Sequence, residues 1–236
     1  MHEARHRGAG VQQIGMVAST TVLEWLPDDV LARRAQLPAK PAPVVLAGER
    51  VELRPIDPER DCEPLHAVSN GRPFALGERR VEAYDPDVVI WRWMKGAAHR
   101  DAAELRRYLE PWTHNPDTLM MTVRDRPTDT PIGVACFMSN RPDDLKIELG
   151  HIWYGPIAQA TGAAREATRL MCDHAFGLGY LRVEWKCDVL NERSRRAALS
   201  YGFAFEGIQQ AHSIVKGRSR DTAWFRMLRA DWMAAR

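Results

Sequence analysis

Apolar and polar positions alternate along long stretches of the chain, and the period changes at a few well-marked points. Val51, Leu53 and Ile56 set against Glu52 and Arg54 predict a first strand. Pro58-Glu59-Arg60-Asp61 then opens a helix with acidic residues in its first turn, where the helix dipole favours them. A second helical region is predicted over Asp87–Trp93 and Asp101–Leu109. Thr118–Arg126 and Ile132–Ser139 read as strands joined through Arg126-Pro127-Thr128-Asp129, and a turn at Asn140–Asp144 leads into a strand over Leu145–Tyr154. The period then switches. Ala164, Ala167, Leu170, Met171, His174, Ala175 and Leu178 fall at helical spacing on one face, with Gly177 and Gly179 as a stop. Leu181, Val183, Trp185 and Cys187 alternate with Arg182, Glu184, Lys186 and Asp188 as a strand. Asn191 is placed to cap a helix that Gly202 ends, and Phe203 starts the next strand. Ile214–Lys216 and Thr222–Leu228 pair as a closing hairpin.

The order is strand, two helices, three strands, helix, strand, helix, strand, strand. Short turns between the three consecutive strands suit antiparallel pairing and an α+β fold. A doubly wound dinucleotide fold would carry its glycine loop after the first strand instead. Residues 1–45 stand apart as an N-terminal arm or linker, with a short helix near Asp28–Arg34 and an extended close through Pro38, Pro41 and Pro43. Its apolar set, Val22, Leu23, Trp25 and Leu26, either docks, for example on a second copy in a homodimer, or belongs to a partly disordered tail. Residues 46–236 form one domain.

Composition narrows the setting. With 236 residues, 45% hydrophobic and 27% charged, the chain reads as an ordinary globular protein. A formal net charge of +2 gives no argument for nucleic acid or a membrane surface, and no apolar run approaches a membrane span. The N-terminus is basic without an apolar core segment, so no secretory signal is expected. Cys62, Cys136, Cys172 and Cys187 are scattered without a CxxC pair, so neither a metal site nor a disulfide framework is expected. A reduced, cytoplasmic setting is the default.

The most informative chemistry lies between strand and helix, at Gln159-Ala160-Thr161-Gly162-Ala163-Ala164. A loop opening a helix presents free backbone N–H groups where a diphosphate can sit. GxGxxG and GxxxxGK[ST] are both absent. Gln159-x-x-Gly162-x-Ala164, the upstream Pro156, and Asn191-x-x-Ser194 through Gly202-Phe203 together resemble the GNAT superfamily of acetyl-CoA-dependent N-acetyltransferases over roughly residues 46–231. Leu145–Gly150 followed by Glu166-Ala167 most resembles its ribosomal-protein Nα-acetyltransferase (RimJ/RimL-like) branch.

The resemblance implies a GNAT fold: a mixed, mostly antiparallel sheet flanked by helices and splayed between its fourth and fifth strands, Leu145–Tyr154 and the strand from Leu181. It implies that pantetheine enters the splay and pairs with backbone of Ile152, Trp153 and Tyr154, while Gln159–Ala164 hold the pyrophosphate. Asn191 and Ser194 would contact pantetheine or position water. A backbone N–H near Ile152–Trp153 would polarise the thioester carbonyl. The acceptor would be a primary amine, either a protein N-terminus or a small molecule. An α-amine, with a pKa of about 7.7–8.0, needs less help to become neutral than a lysine near 10.4. Glu148 is the candidate base, on the face shared with Ile152 by period 2, against the plainer reading of a solvent-facing glutamate paired to Lys146 or Arg182. The tyrosine that many relatives place seven residues after the asparagine is replaced by Ala198, and Tyr201 reads as packing. Ser194 could hydrogen-bond the departing sulfur. Without that tyrosine, a non-catalytic acyl-CoA-binding sensor is the alternative function. His151, His174 and Cys187 read as structural; Trp91, Trp93 and Trp112 fit either an acceptor wall or core, and Arg193, Arg195 and Arg196 a solvated face or a phosphate contact.

Overall fold

The alternating segments assemble into an eight-stranded sheet with spatial order β1-β2-β5-β6-β7-β8-β10-β9. These are β1 (Leu46–Ala47), β2 (Val51–Pro55), β5 (Leu119–Asp125), β6 (Thr130–Arg141), β7 (Lys146–Tyr154), β8 (Arg182–Asp188), β9 (Ala204–Val215) and β10 (Arg218–Leu228). A separate two-stranded hairpin holds β3 (Phe74–Leu76) and β4 (Arg79–Val81). Every ladder is antiparallel except β7–β8, which is parallel. This is a computed structural model that describes residues 25–236. No described helix is long and apolar enough to cross a membrane.

Two cores form, one on each face of the sheet. On one face α2 (Pro58–Ala67) and α4 (Ala102–His114) bury Leu65, Leu105 and Leu109 with Trp91, Val134, Cys136 and Trp153. On the other, α5 (Ala163–Leu178) buries Ala167, Met171, Ala175 and Phe176 against Ile147, Leu149, Val183 and Phe225. Each such apolar side chain contributes about 1.5–3 kcal/mol when fully buried. Asp57 caps α2 by accepting from the N–H of Glu59 and Arg60. Gly179, at φ 107°, closes α5, with Tyr180 N–H reaching Ala175 O at 3.2 Å.

The short helix expected near Asp28–Arg34 is present as α1 (Asp28–Ala32) and a following 3-10 turn, Arg33–Ala35. Val22 and Leu23 lie outside the described residues, while Trp25 and Leu26 are exposed. Further along, Leu37 is buried in the main core, and Asn140 Nδ2 donates to Pro38 O and Ala39 O at 2.9 Å each. The region expected as helix over Asp87–Trp93 is α3 (Pro86–Val89) plus a 3-10 turn at Trp91–Trp93, and α4 continues past Leu109 to His114 through Pro111.

The buried stripe of α5 differs from the expected one. Ala163, Thr168, Cys172 and Phe176 take core positions, whereas Leu178 is exposed and His174 sits half-buried with its ring 5.9 Å from Phe137. Both stripes share Ala167, Met171 and Ala175, so apolar spacing alone does not fix the rotation of the helix about its axis. The remaining helices are α6 (Glu192–Ser200) and α7 (Arg229–Ala234).

Candidate functional site

β7 and β8 pair over only four residue pairs, from Lys146↔Arg182 to Leu149↔Trp185. Beyond them β7 stays zipped to β6 as far as Gly133↔Tyr154, and β8 stays zipped to β10 as far as Thr222↔Asp188. The facing edges part, and a cavity of about 640 Å³ lies between them. The parting coincides with a bulge. Between Cys136↔Gly150 and Val134↔Trp153, β6 advances two residues and β7 three, and His151 takes φ 48°.

The bulge corrects the expectation that Glu148 and Ile152 share a face. One extra residue reverses the parity. Trp153 therefore packs with Val134 and Cys136, whereas Ile152 and Tyr154 pack with the core of Ile147 and Leu149. Trp153 has its side chain buried and presents backbone to the gap.

At the mouth of the gap, Ala160 and Gly162 both adopt left-handed backbone, at φ 59° and 87°. Alternation of this kind makes a concave nest of N–H groups. Ala163 N–H is taken by Thr161 Oγ1 at 3.3 Å, and Thr161 Oγ1 donates to Ala158 O at 2.7 Å. The N–H groups of Ala160, Thr161, Gly162, Ala164 and Arg165 have no hydrogen-bond partner among the described residues. Gln159 anchors the loop: Nε2 donates to Tyr154 O at 3.1 Å and Oε1 accepts from Arg193. A second hollow of about 410 Å³ continues past Gly162 and Ala164, walled by Arg165, Arg193 and Arg196. These residues fit a diphosphate: free amides, an αL glycine and three guanidinium groups. Thr161 and Ala163 line neither hollow.

Glu148 is buried rather than solvent-facing, and its partners are neither Lys146 nor Arg182. Its Oε2 accepts from Ser139 Oγ at 2.9 Å and from Lys186 Nζ at 2.8 Å. Oε1 has no donor among the described residues and lies beside Gly150, 3.2 Å from where a Cβ would stand. Lys186 also reaches Glu184 Oε2 at 3.0 Å and sits 4.0 Å over the Trp224 ring. Burial pushes the Glu184 carboxyl up, but hydrogen bonds from Arg182 and Lys186 outweigh it and hold it below its ordinary value. Period-2 alternation placed Lys186 on the polar face of β8, but the partnership with Glu148 needs the β7–β8 register, which local sequence does not carry.

Asn191 Oδ1 accepts from Ser194 N–H at 3.1 Å, capping α6. Ser194 Oγ accepts from Trp185 Nε1 at 3.0 Å, and both Asn191 and Ser194 line the cavity. That hydrogen bond fixes Ser194 while leaving its O–H as a donor. Ala198 is fully buried, and Tyr201 lies in the cavity wall with Arg165 5.0 Å over its ring. Cys187 is buried at the gap, and burial pushes its thiol up.

The other end of the cavity is aromatic. Trp93 and Trp112 line it, whereas Trp91 is fully buried, 5.2 Å from Trp153. The His151 ring lies 4.2 Å from Trp112 and 5.5 Å from Tyr108. Burial, with the Lys95 charge nearby, lowers the His151 pKa to about 4, so the imidazole is neutral near neutral pH. His212, Ser213, Arg220, Thr222 and Trp224 of the C-terminal hairpin complete the wall. Sequence reading missed them, although the strand alternation of Thr222 and Trp224 was a usable signal.

Residues 50–204 match the family described as an acetyltransferase (GNAT) domain. A comparison with curated proteins finds no match. Among solved structures, the chain is similar to a GCN5-related N-acetyltransferase from Brucella melitensis, at 34% identity and TM-score 0.73, over 83% of each chain. It is also similar to a probable GNAT-family acetyltransferase from Chromobacterium violaceum, at 29% identity and TM-score 0.72, over 82% of this chain and 90% of that one. A candidate ribosomal-protein-serine acetyltransferase from Vibrio cholerae shares the fold at 20% identity and TM-score 0.59, over 78% of this chain and 97% of that one.

Proposed function

Since the chain belongs to the GNAT acetyltransferase family, we propose that it moves acetyl from acetyl-CoA to a primary amine by direct attack in a ternary complex. The acceptor is a protein N-terminus or a small amine; the segments Leu145–Gly150 and Glu166-Ala167 favour the ribosomal-protein Nα-acetyltransferase branch. The observation that carries the reading is the seam, where β7 and β8 stop pairing beside a loop of free amides.

When bound, acetyl-CoA supplies an activated acetyl thioester. The chain's own groups do the rest. The Gln159–Ala164 loop holds the diphosphate through its free backbone N–H groups, those of Ala160, Thr161, Gly162 and Ala164, with Arg165, Arg193 and Arg196 offsetting its charge. Backbone of Ile152, Trp153 and Tyr154 takes the pantetheine arm as an added strand would be taken. A backbone N–H at the bulge donates to the thioester carbonyl. Glu148 accepts the proton the amine loses, through its unoccupied Oε1, directly or by way of water. The new N–C bond forms as the C–S bond breaks. A thiol of pKa about 8.5 leaves as thiolate without a strong acid, and the Ser194 O–H donates to the sulfur.

Calorimetry with acetyl-CoA and a thioester-consumption assay over a panel of amines test this together. Binding plus turnover supports the reading, and Glu148→Gln is expected to lower kcat by roughly 100- to 10,000-fold with CoA affinity retained. Tight CoA binding with no turnover on any amine would instead identify an acyl-CoA sensor. Stabilisation by NAD or ATP but not by CoA would end the cofactor assignment.

A further inference from the structure

The wall contributed by β9 and β10 carries more positive charge than its neighbours neutralise. Two carboxylates line the cavity, and both are engaged: Glu148 by Lys186 at 2.8 Å, and Asp188 by Arg218. Three cations line it that pair with no carboxylate among the described residues: Arg193, which donates to Gln159 Oε1 and Val89 O, and Lys95 and Arg220. Arg220 is the most telling. Its Nε is fully buried and has no hydrogen-bond partner, and its charge is felt at Cys187, where the seam opens. Trp224 adds a second buried donor without an acceptor, Nε1. Its neighbours are fixed: Lys186 stands 4.0 Å over its ring, the His212 ring is 5.7 Å away, and His212 Nδ1 meets Thr222 Oγ1 at 2.9 Å.

A donor left unsatisfied is costly, and more so when charged. Arg220 and Trp224 both line the cavity, and the terminal guanidinium N–H groups of Arg220, unlike its Nε, are not buried and have no hydrogen-bond partner among the described residues, so a planar oxyanion in the cavity is the group that satisfies them. We propose that Arg220 recognises a carboxylate on the acceptor, so that the substrate is a primary amine that also carries a carboxylate. This rests on the acetyl-transfer reading and names its substrate class. A polyamine is disfavoured on the same grounds, because a second ammonium would meet Lys95 and Arg220 with no unpaired carboxylate among the described residues of the cavity wall to receive it. The surrounding cations also favour the neutral form of the attacking amine.

The test compares acetylation of ω-amino acids, from glycine to 6-aminohexanoate, with acetylation of their amides. Tripeptides with glutamate or glutamine in second place form a parallel arm that separates a free amino acid from an acidic peptide N-terminus, and spermidine serves as the cationic control. At least one carboxylate is expected to exceed its amide by about tenfold or more in kcat/KM. In Arg220→Gln that advantage falls to about twofold or less through a rise in KM, while CoA affinity, measured by calorimetry, reports an intact fold. Equal rates for every carboxylate and its amide, persistence of the preference in Arg220→Gln, or spermidine as best acceptor would each overturn the proposal. If CoA binds but no amine turns over, acetyl transfer fails as a reading. The same ligands titrated into the CoA complex then decide separately: Arg220-dependent binding of a carboxylate upholds the anion site, and its absence removes it.

Discussion

Gly162 holds φ at 87°, in the left-handed region where a side chain is strained. A Cβ there would meet nothing nearer than Arg50, at 3.8 Å. The requirement for glycine is therefore conformational and not steric. Gly162→Ala is expected to cost about 1–2 kcal/mol of stability and, because the loop relaxes toward ordinary backbone, to weaken CoA binding by roughly tenfold. A urea titration and calorimetry on the same variant measure the two effects. At this scale the sequence was legible where a residue's role is local: Gly162 opens α5 at positive φ, and Asn191 caps α6 through its Oδ1. Glu148 was legible as a candidate, but its environment was not. A bulge of one residue leaves no mark on a run such as Glu148-Leu149-Gly150-His151-Ile152, because glycine and histidine fit either face.

Among elements, the turn between β1 and β2 depends on a residue far away in the chain. Glu166, in the first turn of α5, accepts from the N–H groups of Glu49, Arg50 and Val51 at 2.9, 2.8 and 2.9 Å. Burial pushes its carboxyl up, but the three donors outweigh it and hold the pKa below the usual glutamate value. Its stabilisation is therefore complete above the unfolded value of about 4.3 and is lost as pH falls through the lower folded pKa. Glu166→Gln is expected to cost about 1–2 kcal/mol at pH 7, read as a shift in urea midpoint, and the gap to wild type should shrink by pH 3. The long strands were plain from alternation, because each has one face on a core. The β3–β4 hairpin was not: its strands, Phe-Ala-Leu and Arg-Arg-Val, are three residues each, too short to show alternation, and are joined at Gly77 with φ 59°. Nor was the full length of α4, since Pro111, which cannot donate a backbone N–H to the preceding turn and so reads as a helix end, falls inside it.

For the molecule as a whole, the open seam makes stability a function of ligand. A ligand bound only to the folded chain at 100 times its Kd stabilises it by about 2.7 kcal/mol. For a chain of this size that corresponds to a rise of roughly 5–10 °C in Tm, and differential scanning calorimetry across a CoA titration should follow the logarithm of concentration. The seam has a mechanical side as well. Five strands, β7 included, lie on one side of the seam and three, β8 included, on the other, so the sheet is two plates on a short hinge, joined by the four rungs from Lys146 to Leu149. Torsion between the plates concentrates on those rungs, and the Glu148↔Glu184 rung is one of them. The carboxylate proposed to take the proton thus rides the pivot, and any motion that spreads or closes the plates moves it first.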